Sequence, residues 1–211
     1  MKDIIIDEPA FRVTTLVVDV GGLFLPKDVM LPPDSVELVD PITTSVHLRL
    51  GRDEVEAAPL VLGGEPIQAM PSMFPLAPAD VRPPEESERA EARASFPFGA
   101  PGLHSLKDLH GAKLLATDGE IGHVDDALID ITAWHLAHLV IDTRNWLPGK
   151  HVVVDAAMVR TIDWGAETVS VQLTREEVEK APTYDPLTEM SDQYQDYLSR
   201  YYHSLGTRAP L

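Results

Sequence analysis

The sequence predicts a mainly β chain. It holds two small β-barrel-like modules, the first incomplete, joined by a proline-rich linker and followed by a short C-terminal helix. Three observations carry this. Residues 2–59 align with 125–182 without a gap at a step of 123, and roughly a third of the aligned positions are identical. Short apolar runs recur at about 8–12-residue spacing between turn-forming residues. Eight of the 18 prolines fall in residues 63–102. The expected organisation is a truncated copy over 1–62, a linker over 63–102, a complete copy over 103–182 and a tail over 183–211.

The first copy is read through the second. Asp3, Ile6, Asp7, Leu16, Val17 and Asp19 recur as Asp126, Ile129, Asp130, Leu139, Val140 and Asp142. The match ends in Arg52, Glu54, Val55, Glu56, Ala58 and Pro59 against Arg175, Glu177, Val178, Glu179, Ala181 and Pro182. Met1 falls opposite Val124, so the counterpart of 103–123 is absent and the first hairpin is missing. Gly21–Lys27 stands where Arg144–Lys150 stands, and Pro41 faces Trp164. A barrel lacking two strands exposes edges. Three readings remain open: the true start lies upstream, the missing strands come from the linker or another subunit, or the copy packs its open side on the second barrel.

The linker cannot hold continuous helix or a central strand, because a proline recurs about every five residues. Glu85–Ala94 lacks proline and is able to form a short polar helix, marginal on its own. Met70, Met73, Phe74, Phe96 and Phe98 are apolar for a free spacer, so parts of it should lie against a domain surface.

In the second copy, Leu103–Gly111 leads in. Strands are expected at Lys113–Ala116, Ile121–Ile129, Trp134–Asp142, His151–Val154, Val159–Trp164 and Thr168–Leu173. Asp118-Gly119 between the first two is a structural turn, since Asp-Gly favours a tight hairpin. Thr174-Arg-Glu-Glu177 has capping-box form and starts a helix over about 175–180. Six short strands suggest a small barrel, whose closure removes edges.

Thr117–Val124 (TDGEIGHV), Leu139–Lys150 (LVIDTRNWLPGK) and Leu173–Val178 with Ala181-Pro182 resemble the signature of PRC-barrel domains. The resemblance covers 103–182 well and 1–62 less so. That family includes the cytoplasmic domain of the photosynthetic reaction-centre H subunit, the C-terminal domain of a ribosome maturation factor and stand-alone bacterial proteins. The resemblance implies a six-stranded barrel used for protein contacts and not a chemistry. It points to a reaction-centre or membrane-complex assembly role. The H subunit anchors itself by a transmembrane helix that this sequence lacks. The ribosomal factor carries a different domain before its single barrel.

Composition narrows the function classes. Of 211 residues, 34 are acidic and 17 basic, a net charge of −17. Phosphate neutralisation needs clustered Lys and Arg, so nucleic acid is not an expected partner. The same sign argues against an anionic membrane surface. No run of 18 apolar residues occurs, so no transmembrane segment is expected. The absence of cysteine excludes disulfides, thiolate metal sites and thiol catalysis. The start lacks signal-peptide layout, and the expected location is the cytoplasm. No nucleophile elbow or phosphate-cradling glycine loop occurs, so no enzyme activity and no cofactor are expected.

Three groups of residues are candidates for a site. Asp118, Glu120, Asp125, Asp126 and Asp130 form an acidic cluster that reads as turn and strand-end chemistry or as a hard-metal site. His123, His135, His138 and His151 crowd the second copy. His135 and His138 differ in strand parity, and His138 shares the face of Trp134, Leu136 and Val140. A buried, hydrogen-bonded histidine competes there with a metal ligand. These two groups support an alternative function, a small-ligand or metal-responsive barrel. Trp146 and Leu147 form a loop that either folds back as a lid or anchors a protein partner. In the tail, Ser191 caps a helix to about Ser204, with Tyr194, Tyr197, Leu198, Tyr201 and Leu205 along one face. That face docks on its own barrel, on a partner protein or on a second subunit. The candidate partner contacts are thus Trp146, Leu147, Tyr194, Tyr197 and Tyr201.

Overall fold

A computed structural model of the chain describes residues 1–8, 10–21, 27–40, 43–60, 102–143, 151–185 and 190–206. The chain is mainly β and divides into two compact units, Met1–Ser105 and Leu106–Leu211.

The first unit begins with β1 (Asp3–Asp7), β2 (Val13–Asp19) and β3 (Asp28–Leu31). β-branched residues dominate these segments, and they suit a pleated, packed surface. Ile5, Ile6, Val13, Leu16, Val17, Val29, Met30 and Leu31 are all buried. A 3-10 turn at Pro33–Ser35 leads into β4 (Val36–Asp40), followed by β5 (Ser45–Leu48) and α1 (Arg52–Ala57). Far along the chain comes β6 (Leu103–Ser105). The sheet order is β3-β2-β1-β6, antiparallel throughout. β4 and β5 pair only with each other among the described residues.

β6 lies outside the sequence expectation, which assigned Leu103 onward to the second copy. Ile5, Ile6 and Asp7 pair with Ser105, His104 and Leu103. Ser105 Oγ donates to Asp3 Oδ2 at 2.6 Å, and Glu8 N donates to the Gly102 carbonyl at 2.7 Å. Gly102 has φ +87°, a left-handed conformation that glycine adopts without strain. One strand of the first unit is therefore supplied by residues beyond the linker.

The second unit opens with a 3-10 turn at Leu106–Leu109. Then come β7 (Lys113–Ala116), β8 (Gly119–Asp130), β9 (His135–Asp142) and β10 (His151–Asp155). After a 3-10 turn at Ala156–Met158 follow β11 (Val159–Asp163) and β12 (Thr168–Val171). α2 (Arg175–Glu179), β13 (Thr183–Tyr184) and α3 (Asp192–Gly206) complete it. The seven-stranded order is β11-β12-β7-β8-β9-β10-β13. Every pair is antiparallel except β12 with β7. Among the described residues the end strands β11 and β13 share no pair, so the ladder is open where a closed barrel was expected.

The strand pairings of the two units follow the 123-residue step. Asp3↔Val17, Ile4↔Leu16, Ile5↔Thr15 and Ile6↔Val13 become Asp126↔Val140, Ala127↔Leu139, Leu128↔His138 and Ile129↔Leu136. The irregularity between Ile5 and Ile6 recurs between Leu128 and Ile129. β2–β3 maps onto β9–β10, and β4–β5 onto β11–β12 with its bulge in the same place. The bridge Val29↔Leu60 becomes Val152↔Thr183. Left-handed Phe11 (φ 53°) and Thr44 (φ 53°) recur as Trp134 (φ 50°) and Glu167 (φ 52°). Non-glycine residues seldom adopt this conformation, so its recurrence marks the same turns in both units.

Candidate functional site

The predicted turn and the predicted capping box meet. Gly119 has φ +144°, a conformation that favours glycine. It turns the chain so that Asp118 Oδ1 accepts from the Arg175 backbone N at 2.8 Å, a donor left open at the start of α2. Thr174 Oγ1 accepts from Glu177 N at 3.3 Å, while Glu177 Oε2 accepts from Thr174 N at 2.8 Å. Asp118 and Gly119 thus tie the β7–β8 hairpin to α2.

The acidic cluster disperses into local partnerships. Glu120 lies 3.8 Å from Lys113 Nζ. Asp126 accepts from Ala127 N at 2.8 Å. Asp130 accepts from Thr132 N at 2.7 Å and Ala133 N at 3.2 Å, and the Thr132 bond foremost holds its carboxyl below the usual range. Asp125 lies 3.6 Å from His151, and Asp130 pairs across the strands with His135. Among the described residues, no group of three or more His, Asp or Glu side chains is arranged to hold a metal ion.

Register, rather than sequence proximity, builds the densest polar group. His123 on β8 and His151 on β10 both pair with Asp142 on β9. Directly paired residues share a sheet face, so the three form one row. His123 Nε2 lies 3.6 Å from Asp142 Oδ2, and Asp142 is fully buried. His110 Nδ1 donates to the Asp125 carbonyl at 2.7 Å. Gly122 permits the close approach of β8 to β9 at Asp142: a Cβ there would stand 2.2 Å from the Asp142 carbonyl oxygen. Asp142 was not a sequence candidate; the signal was the matched parity of residues 123, 142 and 151 on three neighbouring strands.

In the first unit the corresponding places carry other chemistry. Lys2 Nζ donates to Asp28 Oδ2 at 2.5 Å. One step of 123 turns this pair into Asp125 and His151, with acid and base exchanged. Asp19 occupies the place of Asp142.

His138 is half-buried, and burial foremost pushes its pKa down, opposed by Asp155. Its counterpart Thr15 is fully buried, and the Thr15 hydroxyl has no hydrogen-bond partner among the described residues.

The tail docks on its own unit. Leu198 and Tyr202 are buried at 0% and 1% exposure. Tyr202 Oη donates to the Val153 carbonyl at 2.5 Å, Tyr194 Oη to the Pro182 carbonyl at 3.3 Å, and Tyr201 Oη to the Glu177 carbonyl. Ser191 accepts from Tyr194 N at 3.3 Å, as the cap requires. Burial pushes Tyr194 up to about 12 and raises Tyr201 and Tyr202 as well. The inward stripe runs Tyr194–Leu198–Tyr202, while Tyr197 stands outward at 56% exposure. Of the candidate partner contacts, Tyr194 and Tyr201 are engaged within the unit, Tyr197 faces outward, and Trp146 and Leu147 lie outside the described residues.

No helix among the described residues is long and apolar enough to cross a membrane. Comparison with protein-family models gives no match, and comparison with curated proteins gives none.

Proposed function

We propose that the protein is a non-catalytic interaction protein built from two copies of one PRC-barrel-like module, the first truncated. The observation that carries this is the common 123-residue step. It links motif residues, strand registers, bulges and left-handed turns, and two unrelated sheets would not agree on all four. The PRC-like motifs at 117–124, 139–150 and 173–182 support the family reading. Through it they support a role in assembling a reaction-centre or other membrane complex in the cytoplasm. The outward Tyr197 and the Trp146-Leu147 loop are the proposed contact residues for a protein partner or a second subunit.

Affinity capture from the native cell, with the whole protein as bait, tests this. One stoichiometric protein partner should be recovered, and Trp146→Ala with Tyr197→Ala should lose it. Recovery of the same set by both baits would overturn the contact assignment. Recovery of no stoichiometric partner would overturn the function.

The second reading is a small-ligand- or metal-responsive module; the polar row His123–Asp142–His151 supports its small-ligand form, since among the described residues no three such side chains are arranged to hold a metal ion. Elemental analysis of protein purified without chelator tests it, together with the melting shift on adding divalent ions. Absence of both effects removes the metal reading.

A further inference from the structure

Matched registers carry a hazard. β1 and β8 share register and irregularity, and so do the strands beside them, β2–β3 and β9–β10. Backbone geometry alone therefore lets β8 pair with β2 in the place of β1, or β1 with β9 in the place of β8. Misassembly between like modules is a characteristic failure of tandem chains, and exchange of an equivalent element is its usual route. Apolar side chains discriminate little here. Ile5 and Ile6 stand where Leu128 and Ile129 stand, and Leu16 and Val17 recur as Leu139 and Val140.

Charge does discriminate, at one place. In the first unit Asp19 and Asp28 are direct partners on β2 and β3, and Lys2, next to β1, donates to Asp28 Oδ2 at 2.5 Å. The Asp28 hydrogen bond foremost, with the fields of Asp28 and Asp19, holds that ammonium in its charged form. One cation thus meets two carboxylates. In the second unit the same three places hold Asp125, Asp142 and His151. Asp142 and His151 are direct partners, and Asp125 Oδ2 lies 3.6 Å from His151 Nε2. The base has moved from the first of the three places to the last. Exchange of strands would undo both arrangements. β8 on β2–β3 would bring Asp125 against Asp19 and Asp28, three carboxylates at one place. β1 on β9–β10 would set Lys2 against His151, base against base, with Asp142 to balance them. Like charges set opposite each other destabilise a strand pair.

We propose that the exchange of acid and base between Lys2–Asp28 and Asp125–His151 is a pairing code. It directs β1 to β2 and β8 to β9, and it rejects β8 on the first sheet most strongly. The proposal rests on the matched registers and goes beyond the interaction reading, since it stands whatever the external partner is.

The chain has no cysteine, so one introduced pair reports one encounter. Thr15 pairs with Ile5, whose counterpart is Leu128, so β8 on β2 sets Thr15 and Leu128 opposite each other. Directly paired residues lie within disulfide reach. The full chain carrying Thr15→Cys and Leu128→Cys is refolded by dilution from urea at neutral pH in a thiol–disulfide buffer. Peptide mapping then counts the disulfide between the two positions. Adding Asp125→Lys turns repulsion from Asp19 and Asp28 into attraction and should raise that disulfide about fivefold. Asp125→Asn should raise it less, and it serves as the test where the lysine variant does not fold. His151→Gln loosens the same native pair but leaves the three carboxylates to meet, so it should keep the disulfide at the parent level. Equal yields in the parent and the Asp125 variants would overturn the proposal. An equal rise with His151→Gln would also overturn it, because the second unit would then be loosened rather than misdirected.

Discussion

Tyr202 donates its hydroxyl hydrogen to the Val153 carbonyl at 2.5 Å, joining α3 to a strand of the sheet from a fully buried ring. The bond is one of three by which tail tyrosines hold backbone carbonyls of their own unit. Tyr202→Phe should lose about 1 kcal/mol, the net worth of a buried hydrogen bond. Tyr202→Ala should lose about 3–5 kcal/mol through the cavity it leaves. Urea denaturation of both variants measures this. Loss of less than half the lower figure in Tyr202→Ala would show that the helix is not seated.

Gly122 should admit no side chain. A methyl group 2.2 Å from the Asp142 carbonyl oxygen forces β8 from β9. Gly122→Ala should cost about 3 kcal/mol, at the upper end for overpacking, read as a lower denaturation midpoint. Gly111→Ala is the control for backbone strain alone, because nothing stands within 4 Å of its Cβ position.

Acidification should weaken the second unit through His138. Burial lowers its pKa in the folded state, so between the folded and unfolded values the unfolded chain binds more protons. Its contribution is complete above the ordinary histidine value of about 6.5 and is lost as pH falls below that. Melting curves from pH 8 to pH 5 should converge for the parent and His138→Gln towards acid. A parallel pair of curves would refute the role of His138.

Thr15 carries the opposite expectation. Its hydroxyl is buried without a partner among the described residues, so Thr15→Val should stabilise the first unit by about 1 kcal/mol. A fall in melting temperature would reveal a partner for that hydroxyl.

Local signals made most strands legible. Short β-branched and apolar runs placed β7, β11 and β12 with close boundaries, and in β12 the period is plain, with Val169 and Val171 buried beside half-buried Thr168 and Ser170. Asp118-Gly119 and Thr174–Glu177 were legible because turn and cap chemistry depend on a few adjacent residues. β6 was not: Leu-His-Ser is too short to show a period, and its partner Ile5 lies a hundred residues upstream. The row around Asp142 required the register of three strands, which bulges between Val124 and Asp126 and between Leu128 and Ile129 alter. The tail face was named with Leu198 in it, but Tyr197, also named, stands outward and Tyr202, not named, is buried. Spacings of three and four fit both Tyr197 and Leu198 as the second step, and only packing selects Leu198 with Tyr202.

The late position of β6 bears on synthesis. The sheet of the first unit needs Leu103–Ser105, so it cannot be completed when β1–β5 leave the ribosome. At about 5–20 residues per second, the edge of β1 waits several seconds for its neighbour. During that interval Ile5 and Ile6 border an unpaired edge on the nascent chain. The N-terminal unit is thus begun first but finished only as the second starts to emerge, which makes those seconds the period of greatest exposure to misassembly and to chaperones.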